Sequence, residues 1–192
     1  MLFFRFGEVQ IGAVSPLFFK DAVENGGLAL DNRVFGLLNG TIGVAAMLAG
    51  GIVAGWLVSR NGLRAWLIPM ILLLNAPDFI YVALAHWQPA SLFLTGTGIA
   101  VEQFGYGFGF AGYMLFMLWS CAGTPRAVAH YAICTGFMAL GVMLPKFWSG
   151  ALQNLIGYEM FFWWSILCTL PGFWLVAKAR RMIPSDFGKK VS

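Results

Sequence analysis

Apolar stretches of about 20 residues recur along the chain, each long enough to cross a roughly 30 Å hydrocarbon core as a helix. Short segments rich in charge or turn residues separate them. The pattern predicts six spans, over 2–19, 34–58, 65–85, 90–119, 127–152 and 160–177. The first is short and carries Arg5 and Glu8. A basic segment, 179–192, follows the six-helix domain 1–178.

The charges between spans order them across the bilayer. Loop 20–33 is net −1, loop 59–64 net +2, loop 120–126 net +1 and loop 153–159 net −1, while loop 86–89 holds no Lys or Arg. The tail adds Lys178, Arg180, Arg181, Lys189 and Lys190. Bases collect on the cytoplasmic side, so both termini and the even-numbered loops are expected there. Composition agrees. The 192 residues are 59% hydrophobic and 10% charged, against about 25% charged in a soluble domain. This is the composition of an all-α membrane protein lodged in a lipid bilayer. The basic tail lacks the interleaved aromatics that nucleic-acid binding would want, so no nucleic acid is expected as a partner.

Enzyme signatures are missing. The sequence has no Gly-rich phosphate loop, no His-Glu-x-x-His, no Gly-x-Ser-x-Gly and no cysteine pair at metal spacing. Cys121, Cys134 and Cys168 read as core thiols. Neither catalysis, a metal nor a cofactor is expected.

Charges inside the spans are the candidates for function. Glu102 is the only charged residue between Asp78 and Arg126. Glu8, Glu102 and Lys146 at about 3 kcal/mol each would cost roughly 9 kcal/mol if left unpaired in lipid, comparable with the stability of a whole domain. They are expected to face an interior that is paired or wet. There Glu8 and Glu102 can load and release protons, and Lys146 can pair with either or bind an anionic group. Gln10, Asn39, Gln103 and Tyr106 are expected to line the same cavity around a small-molecule substrate. The competing role for these charges is a static salt bridge joining the first, fourth and fifth spans. Arg5, near a helix end, is expected to snorkel to the interface. Asp78 is expected in the solvated outer half of its span. Pro77 and Pro145 are expected to kink their helices. Glycines at 36, 40, 51 and 55, and at 105, 107, 109 and 112, mark close helix packing, and those of the fourth span a helix that bends or rocks.

One loop carries a family signature. Gly55-Trp-Leu-Val-Ser59-Arg60-Asn-Gly62-Leu-Arg64 resembles the Gly-x3-Asp-Arg/Lys-x-Gly-x-Arg loop of major facilitator superfamily transporters, with Ser59 in place of the Asp. Further segments resemble the AmpG-like muropeptide permeases of that superfamily. They are Phe6-Gly-Glu8, Val101-Glu102-Gln-Phe-Gly105-x-Gly107, Leu140-Gly141-x3-Pro145-Lys146-x2-Ser149-Gly150 and Gly157-Tyr158-x2-Phe161-Phe162.

The resemblance implies one half, the C-terminal, of a twelve-helix transporter in a bacterial inner membrane. It implies a symporter importing muropeptides by alternating access, with Glu8 the first choice for proton coupling. Gly55, Arg60, Gly62 and Arg64 would form the gating loop. The implied partner is a missing N-terminal six-helix half or a second half-transporter. A carrier of a sugar, siderophore or acyl-CoA-like anion, and a non-transporting scaffold or fragment, are the rival expectations. The first helix opens abruptly at Met1, so six helices are expected to be encoded upstream.

Overall fold

A computed structural model describes residues 2–190. Met1, from which the upstream expectation starts, and Val191 and Ser192 at the end of the predicted tail lie outside the described residues. All regular elements among those described are helical. We number them α1 (Phe6–Lys20), α2 (Asn32–Asn61), α3 (Leu63–Trp87), α4 (Leu92–Cys121), α5 (127–156) and α6 (158–180). By length and composition, Asn32–Asn61, Leu63–Trp87 and the stretch Ala127–Arg180 can cross a membrane. α1 is too short for that criterion, and α4 is made less apolar by Glu102, Gln103 and its glycines.

α4 runs through the middle of the fold, wedged between α2 and α3, and its glycines explain how. A Cβ at Gly107 would overlap the Met47 carbonyl of α2, and one at Gly105 the Leu73 carbonyl of α3. Gly50 of α2 returns the contact against the Phe104 carbonyl. Small residues allow backbones to meet this closely, which is how helices associate where water cannot drive them together. Gly105 and Gly107, expected in a helix that bends or rocks, are thus filled by neighbouring backbone, while Gly112 faces the Met70 side chain. Gly36, Gly40 and Gly55 meet nothing within 4 Å, so the packing expected at these α2 positions is absent inside the chain.

α3 breaks at Ala76–Pro77 into Leu63–Asn75 and Asp78–Trp87, where the proline has no N–H to continue the ladder. α5 instead keeps helical backbone through Pro145, where Ser149 Oγ donates to the Pro145 carbonyl at 2.6 Å. At Gly157 (φ 78, ψ 171) the chain folds back. The ring of Trp148 before it lies tilted 6.1 Å from that of Phe6, while Trp164 after it donates its indole N–H to Gln10 at 3.2 Å. A straight helix would hold those tryptophans about 24 Å apart. α6 packs on α1 through Phe18 and Phe162, whose rings meet edge-on at 5.1 Å. The first turn of α2 is capped by Asp31, and its next stretch, Gly36–Gly43, is a π-helix.

The basic tail is built in. Ile183 is 1% exposed in the core. The Leu63 N–H donates to the Phe187 carbonyl at 2.9 Å, and the Lys190 N–H to Ser59 at 2.8 Å. Gly188 makes this possible with φ +85, close against Val58. A left-handed valine there costs on the order of 1–3 kcal/mol, and its Cβ would sit 2.8 Å from Val58 Cγ1. Gly188→Val is therefore expected to release the segment and speed tryptic cleavage after Arg181. An unchanged cleavage rate would show that the tail is held by something other than this turn.

Candidate functional site

Glu8 and Glu102 reach a common cavity because α1 and α4 flank the same opening. The cavity is about 300 Å³ in volume. α1 and the residue capping it contribute Glu8, Ser15 and Arg5, α2 gives Asn39, α4 gives Glu102, Gln103 and Tyr106, and α5 gives Lys146. On α4, Glu102 and Tyr106 are four residues apart and so share a face. Gln103 Nε2 crosses to Asn39 Oδ1 at 3.4 Å, linking α4 to the π-helical turn of α2. Such turns often occur at functional sites.

Arg5 does not sit where the sequence placed it. Its side chain is 11% exposed and does not reach an interface. Nε donates to Glu8 Oε2 at 2.9 Å, and a terminal nitrogen donates to the Tyr106 hydroxyl at 2.9 Å. The guanidinium also lies 5.0 Å from the Tyr106 ring centre and 4.9 Å from that of Phe110, two rings stacked on one face of α4. A planar, weakly hydrated cation suits this slot between aromatic faces and a carboxylate. The signal was available: Arg5 and Glu8 stand three apart, the spacing of neighbours on a helix.

Lys146 lines the cavity on its exposed side and forms no ion pair among the described residues. The salt bridge of this site joins Arg5, the residue just before α1, to Glu8 in its first turn, rather than joining three helices. Gln10 leaves the group altogether. Two residues beyond Glu8, it points about 200° away around the helix. It is fully buried, donates to the Phe6 carbonyl at 3.2 Å and accepts from Trp164 of α6. Asp78 is 1% exposed rather than solvated, because the Pro77 break starts a helix inside the fold. Asp78 Oδ2 and Glu102 Oε2 are buried without a hydrogen-bond partner among the described residues.

Gly55, Arg60, Gly62 and Arg64 do not line the cavity. Arg60 lies over Trp56, 4.1 Å from its ring centre. Gly62 turns at φ +84 beneath the Ser185 carbonyl, and the Arg64 carbonyl accepts from Arg180 Nε at 2.9 Å. This loop is thus tied to the chain's last residues.

Chemically the site offers, among the described residues, an acidic floor with spare acceptor atoms, a cation already paired, and a second cation free at the mouth. It can hold a proton, and it can hold an anionic or zwitterionic molecule.

Known proteins share this architecture. No family model matches the chain. A protein of Rickettsia conorii named "Putative transporter AmpG 4" is 25% identical over 177 residues, 92% of this chain and 41% of that protein. A protein of the same name from Rickettsia felis is 24% identical over the same shares. An uncharacterized protein of Haemophilus influenzae is 27% identical over 136 residues, 65% of this chain and 32% of that one. Among solved structures, a mutant of the peptide transporter POT in complex with sulfate superposes with a TM-score of 0.72 at 19% identity. It covers 100% of this chain and 39% of that one. The chain thus spans about two-fifths of the length of the Rickettsia proteins and of the solved peptide transporter and about a third of the Haemophilus protein, resembles proteins named as AmpG transporters in sequence and has the fold of part of a peptide transporter.

Proposed function

We propose that the chain is the C-terminal, six-span half of a proton-coupled carrier that imports muropeptide-like sugar-peptides across a bacterial inner membrane. Its reading rests above all on one observation: four ionisable side chains, Arg5, Glu8, Glu102 and Lys146, converge on one cavity. Buried ionisable groups in a membrane fold mark substrate and ion pathways. In a carrier with two halves the substrate binds between them near the midplane. The large apolar side chains that α2 and α5 leave uncovered, Ile52 (73% exposed) and Phe147 (89%) among them, suit lipid and a second half.

In this reading a proton on Glu8 removes the carboxylate that holds Arg5. The guanidinium, already aimed by Tyr106, is then free to take a substrate carboxylate, with Lys146 at the mouth. Glu102 serves as the second proton station. Proton and substrate thus load together, and rocking of the halves gives alternating access. The loop 59–64 gates on the cytoplasmic side, where both termini lie.

The test is uptake by vesicles containing the complete carrier built with this half. Labelled anhydro-muropeptide is expected to accumulate under an inward proton gradient, and a protonophore is expected to stop it. Unlabelled muropeptide should compete where free sugars do not. Competition by free sugar alone would move the reading to a different solute carrier of the same superfamily.

A further inference from the structure

Two thiols that the transport mechanism leaves unused lie in contact. Cys121 is the last residue of α4, and Cys134 lies in the second turn of α5. Their sulfurs are 3.8 Å apart, and both are free. Cys121 is 3% exposed, while Cys134 is half-buried. A cavity of about 370 Å³ opens beside Cys121, walled by Ala122, Ala127, Val128 and Tyr131. Cys134 does not line that cavity; its own partial exposure is what lets a small reagent reach the pair.

We propose that Cys121 and Cys134 form a dithiol–disulfide site that couples the end of α4 to α5. A disulfide needs its sulfurs at about 2.05 Å, so the pair must close by about 1.8 Å. The local structure allows it. Cys121 ends its helix, Ala122 is extended and Gly123 turns at φ +76, so the sulfur moves without disturbing a helix interior.

The oxidant is a small-molecule disulfide. The more exposed Cys134, as thiolate, attacks one of its sulfurs, breaks the reagent's S–S bond and expels one small thiol. Cys121 thiolate then attacks the Cys134 sulfur of that mixed disulfide and expels the second small thiol. The Cys121–Cys134 bond forms, the two cysteines lose two electrons, and the reagent becomes two thiols that take up the two protons. The bond would fasten together the helices that carry Glu102 and Lys146, so oxidation would restrict their relative motion. This inference stands on the sulfur contact and not on the transport reading.

The sequence makes the test direct. Arg126 lies between the two cysteines, so trypsin places them on separate peptides that only a disulfide can join. The purified chain in detergent is exposed to oxidised glutathione, then its free thiols are counted with a maleimide and its peptides are weighed. Free thiols are expected to fall from three per chain to one, Cys168, with the Cys121 and Cys134 peptides joined. Cys121→Ser is expected to stop at a glutathione adduct on Cys134, and Cys134→Ser to leave Cys121 free. Three surviving thiols, adducts without a joined peptide, or a bridge to Cys168 would each overturn the proposal. Because the wild-type peptides decide the matter, a variant that misfolds does not.

Discussion

Glu8→Gln in the complete carrier is expected to abolish proton-driven accumulation while leaving insertion in the membrane intact. The partner of Glu8 is Arg5. Its guanidinium is nine-tenths buried, and Glu8 is its only carboxylate partner among the described residues. Removing one member of a buried pair costs about 3–5 kcal/mol, chiefly because the other charge is left uncompensated. At 1.4 kcal/mol per decade, that is roughly a hundred-fold or more in any equilibrium that needs the pair intact. Net uptake against a gradient should fall to background, because a Gln side chain cannot load and release a proton. Exchange of labelled for unlabelled substrate with no gradient needs no proton to move and should persist. Arg5→Lys keeps the charge but loses the planar fork and its stacking on Tyr106 and Phe110, so substrate KM should rise. The double variant Arg5→Gln with Glu8→Gln removes both charges and should insert as well as wild type. If the Glu8→Gln carrier still concentrates substrate under a proton gradient, the coupling role assigned to Glu8 is wrong.

This pair also shows where sequence was enough and where it fell short. Glu8, Glu102 and Lys146 stood out because a charge in an apolar run is expensive wherever it lies, and the cost needs no coordinates. That they meet at one cavity followed from three helices converging, and polar Asn39, Gln103 and Tyr106 came with them. Arg5 was misjudged because snorkelling is the average fate of a cation near a helix end. An average cannot see two aromatic rings arriving from residue 106 and residue 110 of another helix. Gln10 failed for a simpler reason: polarity places a residue on a list, but only helix phase places it on a face. Asp78 turned on Pro77, whose break was legible while the direction of the new helix was not. The π-helical turn of α2 left no sequence mark at all, and neither did the contact between Cys121 and Cys134, thirteen residues and one turn apart.

Alanine at Gly107 or at Gly105 is expected to destabilise the fold, while the same change at Gly55 is expected to stabilise it. All three glycines lie inside helices, where replacing glycine by alanine gains about 1 kcal/mol from propensity alone. At Gly55 nothing lies within 4 Å of the new methyl group, so that gain should survive. At Gly107 and Gly105 the methyl would overlap the Met47 and Leu73 carbonyls. The obstacle is backbone, which cannot rotate aside as a side chain does, so α4 must move away from α2 or α3. Overpacking of this kind costs about 1–3 kcal/mol, enough to outweigh the propensity. The larger Gly107→Val should leave little folded chain, because separating α4 from α2 also opens the wall that holds Glu102 and Tyr106 beside Arg5. Thermal melting in detergent, followed by tryptophan fluorescence, measures both signs in one series. Gly107→Ala melting at or above Gly55→Ala would mean that α4 has room to shift and that its glycines serve motion more than contact.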